Sequence, residues 1–362
     1  MPKETMLLHN QNVPIRPFSL FPYSLFSIPV SLNSHFHVKP WLFMIALLGL
    51  LCLYAPASAA AAAADDAALR QLEQTRFIAY TPRSFHVVQG KSTPATAEGI
   101  RNDLALLRPW FDGIITYSFT NGMERVPQIA RELGYRHVLA GIWDPVSNTE
   151  IANAFREISR PGSIVIGLII GNEGLYAKRY GMETIRKRQD EIRDRYPRLL
   201  LTTSEPFFYF FKEENHAFFA SQSFLAPNVH PVFEPWFRPE LVDDAAKMVV
   251  SVTHQLQTAY PNQLVLIKET GMPSGPGRLG FTPERQMQFW RTLQHASAAL
   301  SGTVLAYFEA FDEPWKPAVM AETYSGDHSI ESFWGFFDVQ GNAKPVIRVL
   351  GPNLPKKDQK KP

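Results

Sequence analysis

Of 362 residues only one is cysteine, Cys52, and it lies in an apolar stretch near the N-terminus. The rest of the chain can therefore form no disulfide, present no thiol nucleophile and hold no cysteine-ligated metal. Charge of one sign is also missing, since 36 Lys and Arg face 34 Asp and Glu, a formal net charge of +2. The basic residues are scattered, so the footprint expected of a nucleic-acid surface is absent. Where they bunch, at Arg186-Lys187-Arg188, Asp190, Glu191 and Asp194 follow, the pattern of a solvated helix face. No His-Glu-x-x-His, Gly-x-Ser-x-Gly or phosphate-loop string occurs, which leaves metal-dependent, serine-esterase and nucleotide chemistry without support. The string Gly275-Pro276-Gly277-Arg278-Leu279-Gly280 matches a dinucleotide fingerprint literally, but it stands late in the chain without the acidic partner and reads as a loop. No metal and no cofactor are expected.

Long apolar runs are scarce too. The one candidate, Trp41 to Leu53, follows Lys39-Pro40 and leads into Ala57-Ser58-Ala59 and an alanine run. It reads as an export signal with a small-residue cleavage site near Ala59, or as a retained anchor giving membrane association through residues 41–64. Gly49-Leu50-Leu51 before Cys52 is a poor lipoprotein box. The expected organisation is an N-terminal extension over 1–64, one domain over 65–350, and a Lys-rich tail over 351–362, disordered from Pro355 onward. The domain is expected to be exported and monomeric.

What is present is alternation. Apolar runs of strand length occur at Phe77-Tyr80, Gly113-Tyr117, His137-Ile142, Ile164-Ile170, Leu199-Thr203, Leu225-His230, Leu264-Lys268 and Val304-Phe308. Amphipathic stretches of helical length separate most of them, at Thr96-Leu107, Val126-Leu133, Thr149-Ile158, Tyr176-Arg195, Leu241-Ala259 and Pro283-Leu300. Pro127 and Pro283 fall near helix starts, where a missing N–H costs nothing. Eight strand-helix units predict an α/β fold of the (β/α)8 TIM-barrel type. The Phe-rich stretch Pro206 to Phe219 reads as a loop-helix insertion.

In such a barrel chemistry gathers where strands run out at the C-terminal face. The polar residues there are Tyr80, Tyr117, Trp143-Asp144, Asn172-Glu173, Glu205, His230, Glu269 and Glu309, with Asp312-Glu313 beyond. A single glutamate of this kind is most often one half of a rim ion pair. Glu173 and Glu269, ending the fourth and seventh strands, instead form the pair that glycosidic bond cleavage needs: one carboxyl to protonate the leaving oxygen, one carboxylate to attack the sugar. Trp143, Tyr176, Phe233, Trp236 and Trp315 are candidate rings for stacking on pyranose faces.

The strings Gly171-Asn172-Glu173, Asn228-Val229-His230-Pro231, Lys268-Glu269-Thr270-Gly271-Met272-Pro273-Ser274, Phe308 to Lys316 and Trp334 to Asp338 occur in order over most of the chain from Phe77 to Pro345. In them the chain resembles glycoside hydrolase family 17, the β-1,3-glucanases and β-1,3-glucanosyltransferases. The resemblance implies a retaining enzyme on β-glucan. It makes Glu173 the general acid/base and Glu269 the nucleophile, about 5 Å apart, and has Asn172 bond the sugar 2-hydroxyl. It sets Glu313 and Lys316 near the acid/base, tuning its pKa, while their strand-end positions place Tyr80, Tyr117, Trp143 and His230 at the substrate. Transglycosylation of envelope glucans and a non-catalytic carbohydrate-binding barrel are the alternatives. Three positions depart from the pattern: Met272 where tryptophan is common, His230 where many members carry tyrosine, and Thr116 where an arginine often precedes the tyrosine. If Met272 lines a subsite, tryptophan there should tighten binding of longer glucans.

Overall fold

The computed structural model describes residues 66–351. The export or anchor segment with its cleavage site near Ala59, and the basic tail beyond 351, lie outside the described residues. Among these residues no helix is long and apolar enough to cross a membrane.

Five strands form one parallel sheet in the order β1 (Phe77–Ala79), β4 (Gly113–Ile115), β5 (His137–Ile142), β6 (Val165–Asn172) and β7 (Leu200–Ser204). Each follows its neighbour through a helix, the connection that parallel pairing requires. A second parallel pair joins β8 (Val265–Ile267) to β9 (Thr303–Leu305). Between the two sheets runs the extended segment 224–230. Its Leu225 bridges Val265 in parallel, and its Asn228 bridges both Pro206 and Glu269. At the far side the Tyr307 N–H donates to Phe77 O at 3.0 Å and Tyr307 O accepts from Ala79 N–H at 2.9 Å. This is a parallel-sheet α/β fold in which every expected strand appears as strand or bridged segment. The sixth, Leu225-His230, makes isolated bridges rather than a ladder, because Pro227 has no N–H to give.

Period-two alternation sorts the strand side chains into two layers. Phe77, Ile115, Leu139, Ile169, Leu200, Phe224, Ala226, Leu264, Leu266, Val304 and Ala306 form one buried cluster, drawn from all eight strand segments. Their neighbours Ile78, Ile114, Val138, Leu168, Leu201, Leu225, Val265 and Tyr307 belong to the other, which packs against the helices. Three helices start within a residue of the expected positions, each behind a capping hydroxyl. Thr96 caps Ala97–Leu107, Ser147 caps Asn148–Ile158, and Thr282 caps Pro283–Ser297, each hydroxyl accepting a first-turn N–H.

Two local expectations are corrected. The helix expected from Tyr176 starts only at Met182; the N–H groups of Leu175 and Tyr176 are taken by the Glu205 carboxylate instead, and residues 174–178 form turns. A hairpin of β2 (His86–Val88) and β3 (Lys91–Thr93) was not foreseen. Its strands are largely exposed and short, so no apolar alternation marks them, and its turn rests on Gln89 and Gly90, both at positive φ, the geometry of a two-residue hairpin loop.

Candidate active site

A cleft of about 860 Å³ opens at the C-terminal ends of the strands. The end of β6 is built to deliver a carboxyl to it. The β6–β7 register shifts between Ile169 and Asn172, Gly171 stands at φ +84° and Glu173 at φ +52°. Only glycine accepts the first of these positions freely, and a Cβ on Gly171 would also lie 2.2 Å from the Tyr180 hydroxyl oxygen. Glu173 is held in its left-handed conformation by its N–H, which donates to Ser204 O at 2.8 Å.

A continuous polar chain links the two expected glutamates. Asn228 Nδ2 donates to Glu173 Oε1 at 2.8 Å and to Asn172 Oδ1 at 3.3 Å. Lys268 Nζ donates to the same Asn172 oxygen at 2.8 Å and also to Glu269 Oε1. His230 Nε2 lies 3.4 Å from Glu269 Oε2. Lys268 is 1% exposed and its ammonium sits 4.4 Å from the centre of the Tyr117 ring. Glu173 and Glu269 thus face one cleft in opposite electrostatic settings. Burial and then the Glu269 charge push the Glu173 carboxyl above its ordinary range, with the Asn228 hydrogen bond opposing. Burial also works to raise Glu269, but the Lys268 charge and the His230 hydrogen bond outweigh it and hold the carboxyl well below its ordinary range. Environments that push two carboxyls apart assign one as acid and one as carboxylate.

Around this pair the cleft wall includes Asn172, Tyr117, Trp143, His230 and Lys316, as the sequence predicts. Tyr117 has a buried hydroxyl with no partner, beside Glu269, and burial then the Glu269 charge push it well above the usual tyrosine range. Trp143 is exposed at the rim. Its N–H and that of Asp144 donate to the buried Glu150 carboxylate at 3.0 Å each, and the Arg179 guanidinium covers its ring at 4.2 Å. Tyr176, Phe233 and Trp315 also reach the cleft.

Four expectations are corrected. Tyr80 is fully buried and turned away from the cleft, its hydroxyl 3.1 Å from Asp103 Oδ2; Ala79 faces inward, so its neighbour must face the helices. Trp236 is exposed but does not line the cleft. Glu313 lies beneath the cleft wall rather than on it, 3.2 Å from Lys316 Nζ. Lys316 also grips both oxygens of buried Glu309, at 2.7 and 2.6 Å. The charges acting most on Glu173 are Glu269, His230 and Lys268, so Lys316 serves as the counter-charge of Glu309 and Glu313 instead of tuning Glu173. Burial, then repulsion from Glu313, pushes Glu309 well above its ordinary value.

The fourth correction is Met272, which is 0% exposed and packed in the core. The ring near this point of the cleft is Trp334, whose edge lies 3.3 Å from where a Cβ on Gly271 would sit. Met272→Trp should therefore destabilise by about 1–3 kcal/mol through overpacking and leave glucan-length dependence unchanged. Thermal unfolding alongside oligomer kinetics checks both halves.

Asn228, Lys268 and Trp334 were missed as site residues. The first two carry a readable signal: Phe224, Ala226, Asn228 and Leu264, Leu266, Lys268 each step inward by twos from the buried cluster, so the last member must face the axis. Among the described residues no group of three or more His, Cys, Asp or Glu is placed to hold a metal ion.

The profile of the BtgE/BtgC glycoside hydrolase domain matches residues 78–335. The chain belongs to this family. It is similar to the glucan endo-1,3-beta-glucosidase btgC of Emericella nidulans, at 25% identity over 303 residues, covering 75% of this chain and 45% of the relative. A glucan 1,3-beta-glucosidase of Arthroderma benhamiae is 26% identical over 234 residues, covering 59% of this chain and 72% of the relative. The chain spans less than half the length of the Aspergillus btgC relatives it matches, 42% in the Aspergillus niger protein. Among solved structures, the glycoside hydrolase family 17 β-1,3-glucanosyltransferase from Rhizomucor miehei superposes with a TM-score of 0.59 at 21% identity, covering 76% of this chain and 98% of that one. An active-site mutant of that enzyme holding laminaritriose superposes at 0.56, with 20% identity, 76% of this chain and 97% of that one. These BtgE/BtgC and family 17 likenesses agree with the resemblance read from the sequence.

Proposed function

We propose that this member of the BtgE/BtgC family is a retaining enzyme of β-1,3-linked glucan, built on a closed (β/α)8 barrel. Closure is supported by the Tyr307 hydrogen bonds to Phe77 and Ala79 and by the single inner cluster drawn from eight strand segments. The observation that carries the activity is the Glu173–Asn228–Asn172–Lys268–Glu269 chain, which joins on one cleft two carboxyls whose surroundings push one up and the other down.

In this reading Glu269 attacks the anomeric carbon as Glu173 gives its proton to the departing glycosidic oxygen, leaving a sugar esterified to Glu269. Lys268 and His230 keep Glu269 ionised until attack, and the buried Tyr117 hydroxyl beside Glu269 meets the ring region of the sugar. Asn172, aligned by Lys268 and Asn228, meets the 2-hydroxyl. Glu173 then takes a proton from the incoming hydroxyl, whose oxygen attacks the anomeric carbon and displaces the Glu269 carboxylate. Water as the incoming group gives hydrolysis; a second glucan gives transglycosylation. The transferase reading is favoured by the exposed Trp143, Tyr176 and Phe208 rings on the cleft. Tyr176 follows Glu173 by three residues, and the leaving and acceptor sugars sit on the acid's side. The same reading has the protein exported by its N-terminal segment and monomeric. The sizing profile and the N-terminal residue of secreted protein check those two points.

Incubation with laminaripentaose tests the proposal. Products of changed length, longer ones included if transfer operates, are expected. An untouched substrate at high enzyme concentration contradicts it.

The pH profile follows from the two settings. Activity needs Glu269 ionised and Glu173 protonated, so kcat/KM should fall on the acid side only below the ordinary glutamate value of about 4.3 and on the basic side above it. Stability runs in the corresponding directions. Glu173, raised in the fold, contributes stability that is full below its unfolded value and lost as pH rises through its folded value. Glu269, depressed in the fold, contributes stability present above its unfolded value and lost as pH falls through its folded value. Rate and unfolding measurements across pH check the pair.

A further inference from the structure

Glu205 ends β7, is fully buried, and takes no part in the steps above. Its two carboxylate oxygens are occupied by consecutive backbone amides: Leu175 N–H donates to Oε1 at 2.9 Å and Tyr176 N–H to Oε2 at 3.1 Å. Those amides belong to the turn that starts at Glu173, whose φ of +52° lies in the left-handed region. A non-glycine residue stays there only when its surroundings over-determine it. The turn is tied again by Ala177 N–H to Glu173 O at 2.9 Å. Fixing a turn needs no buried acid, since a neutral amide or hydroxyl accepts an N–H at far lower desolvation cost. A carboxylate gives what a neutral group does not, two equivalent acceptors at once for two neighbouring amides.

We propose that Glu205 is a positioning residue for the general acid: its carboxylate clamps the Leu175 and Tyr176 amides and so aims the Glu173 carboxyl at the leaving oxygen. This rests on reading Glu173 as the acid. The charged and titratable groups facing Glu205 are Glu173, Arg179, Tyr180 and Tyr209. Burial pushes Glu205 up to about 7 against the two amides, which lower it.

The test compares kcat/KM, which reports the bond-breaking half of the reaction, on laminaritetraose and on 2,4-dinitrophenyl β-laminaribioside. The dinitrophenolate leaves without needing a proton, so a misaimed acid hurts only the natural substrate. In Glu205→Gln the laminaritetraose value should fall roughly 10–100-fold and the aryl value less than about threefold, part of the 10²–10⁴ that a positioned acid contributes. Glu205→Asp, which keeps the charge but withdraws it by one methylene, should show the same split at smaller size. Taking the ratio of the two substrates within one preparation cancels any loss of folded protein. Equal losses on both substrates, or none on either, overturn the inference. Glu173→Gln is the benchmark. If it shows the split and the Glu205 variants do not, the positioning role alone fails; if Glu173→Gln shows no split, the acid assignment beneath it fails.

Discussion

Glu269→Gln should lower kcat on β-1,3-glucan oligomers by at least about 10⁴-fold, the scale reached when a covalent nucleophile is removed from a working site. The amide cannot form the ester, and it also strands the Lys268 ammonium that now donates to Glu269 Oε1. Loss of the pair makes part of the effect structural, so the discriminating readout is chemical rescue. In Glu269→Gly, azide enters the space of the lost carboxylate, attacks the sugar from the nucleophile's face, and gives a glycosyl azide of inverted configuration. In Glu173→Gly, azide attacks the glycosyl ester in place of activated water and gives a glycosyl azide of retained configuration. Finding the two configurations exchanged would reverse the roles. Finding rescue in neither variant, with an aryl glycoside as donor, would remove both.

Lys268→Met is the second large effect. The lysine is 1% exposed, and its ammonium meets Asn172, Glu269 and the face of Tyr117. Removing one partner of a buried pair leaves the other's charge uncompensated, at a cost of about 3–5 kcal/mol. Glu269 can relieve part of this by taking up a proton, so the low end, about 3 kcal/mol, is expected. For a chain of this size that is a fall in Tm of roughly 4–6 °C. The proton that relieves the strain also disables the nucleophile. The acid limb of the pH-rate profile should therefore move to higher pH, each unit of rise lowering the ionised fraction about tenfold at fixed acidic pH. A variant with unchanged Tm and an unmoved acid limb would show that Lys268 does not hold Glu269 ionised.

Much of the fold is legible in the chain because strand runs buried on both faces leave a strong apolar signal. Pro127 and Pro283 mark helix starts. The hairpin at 86–93 left no trace because its strands face solvent and its information lies in two residues of positive φ. The late start of the helix at Met182 was hidden for another reason: the competing acceptor for the Leu175 and Tyr176 amides comes from Glu205, thirty and twenty-nine residues away. At the site, the two strand-end glutamates stood out by type and spacing, whereas Tyr80 was misplaced by counting to the end of a strand without tracking which face it takes, and Met272 by matching it to the family's tryptophan position. Alternation from Ala79 turns Tyr80 toward Asp103. The same alternation, followed outward from Leu264 and Phe224, leads to Lys268 and Asn228, the two links that join the carboxyls.

Glu269 as the residue that becomes bonded to the sugar is the centre of the account. The direct test is to incubate the protein with 2-deoxy-2-fluoro-β-laminaribiosyl fluoride, whose fluorine at C2 slows release of the ester, and to locate the adduct by peptide mass spectrometry. The account predicts one added 2-fluorolaminaribiosyl group, on the peptide carrying Lys268-Glu269-Thr270 and at Glu269. An adduct at Glu173 or Glu309, or time-dependent turnover that never leaves a bound sugar, would contradict it.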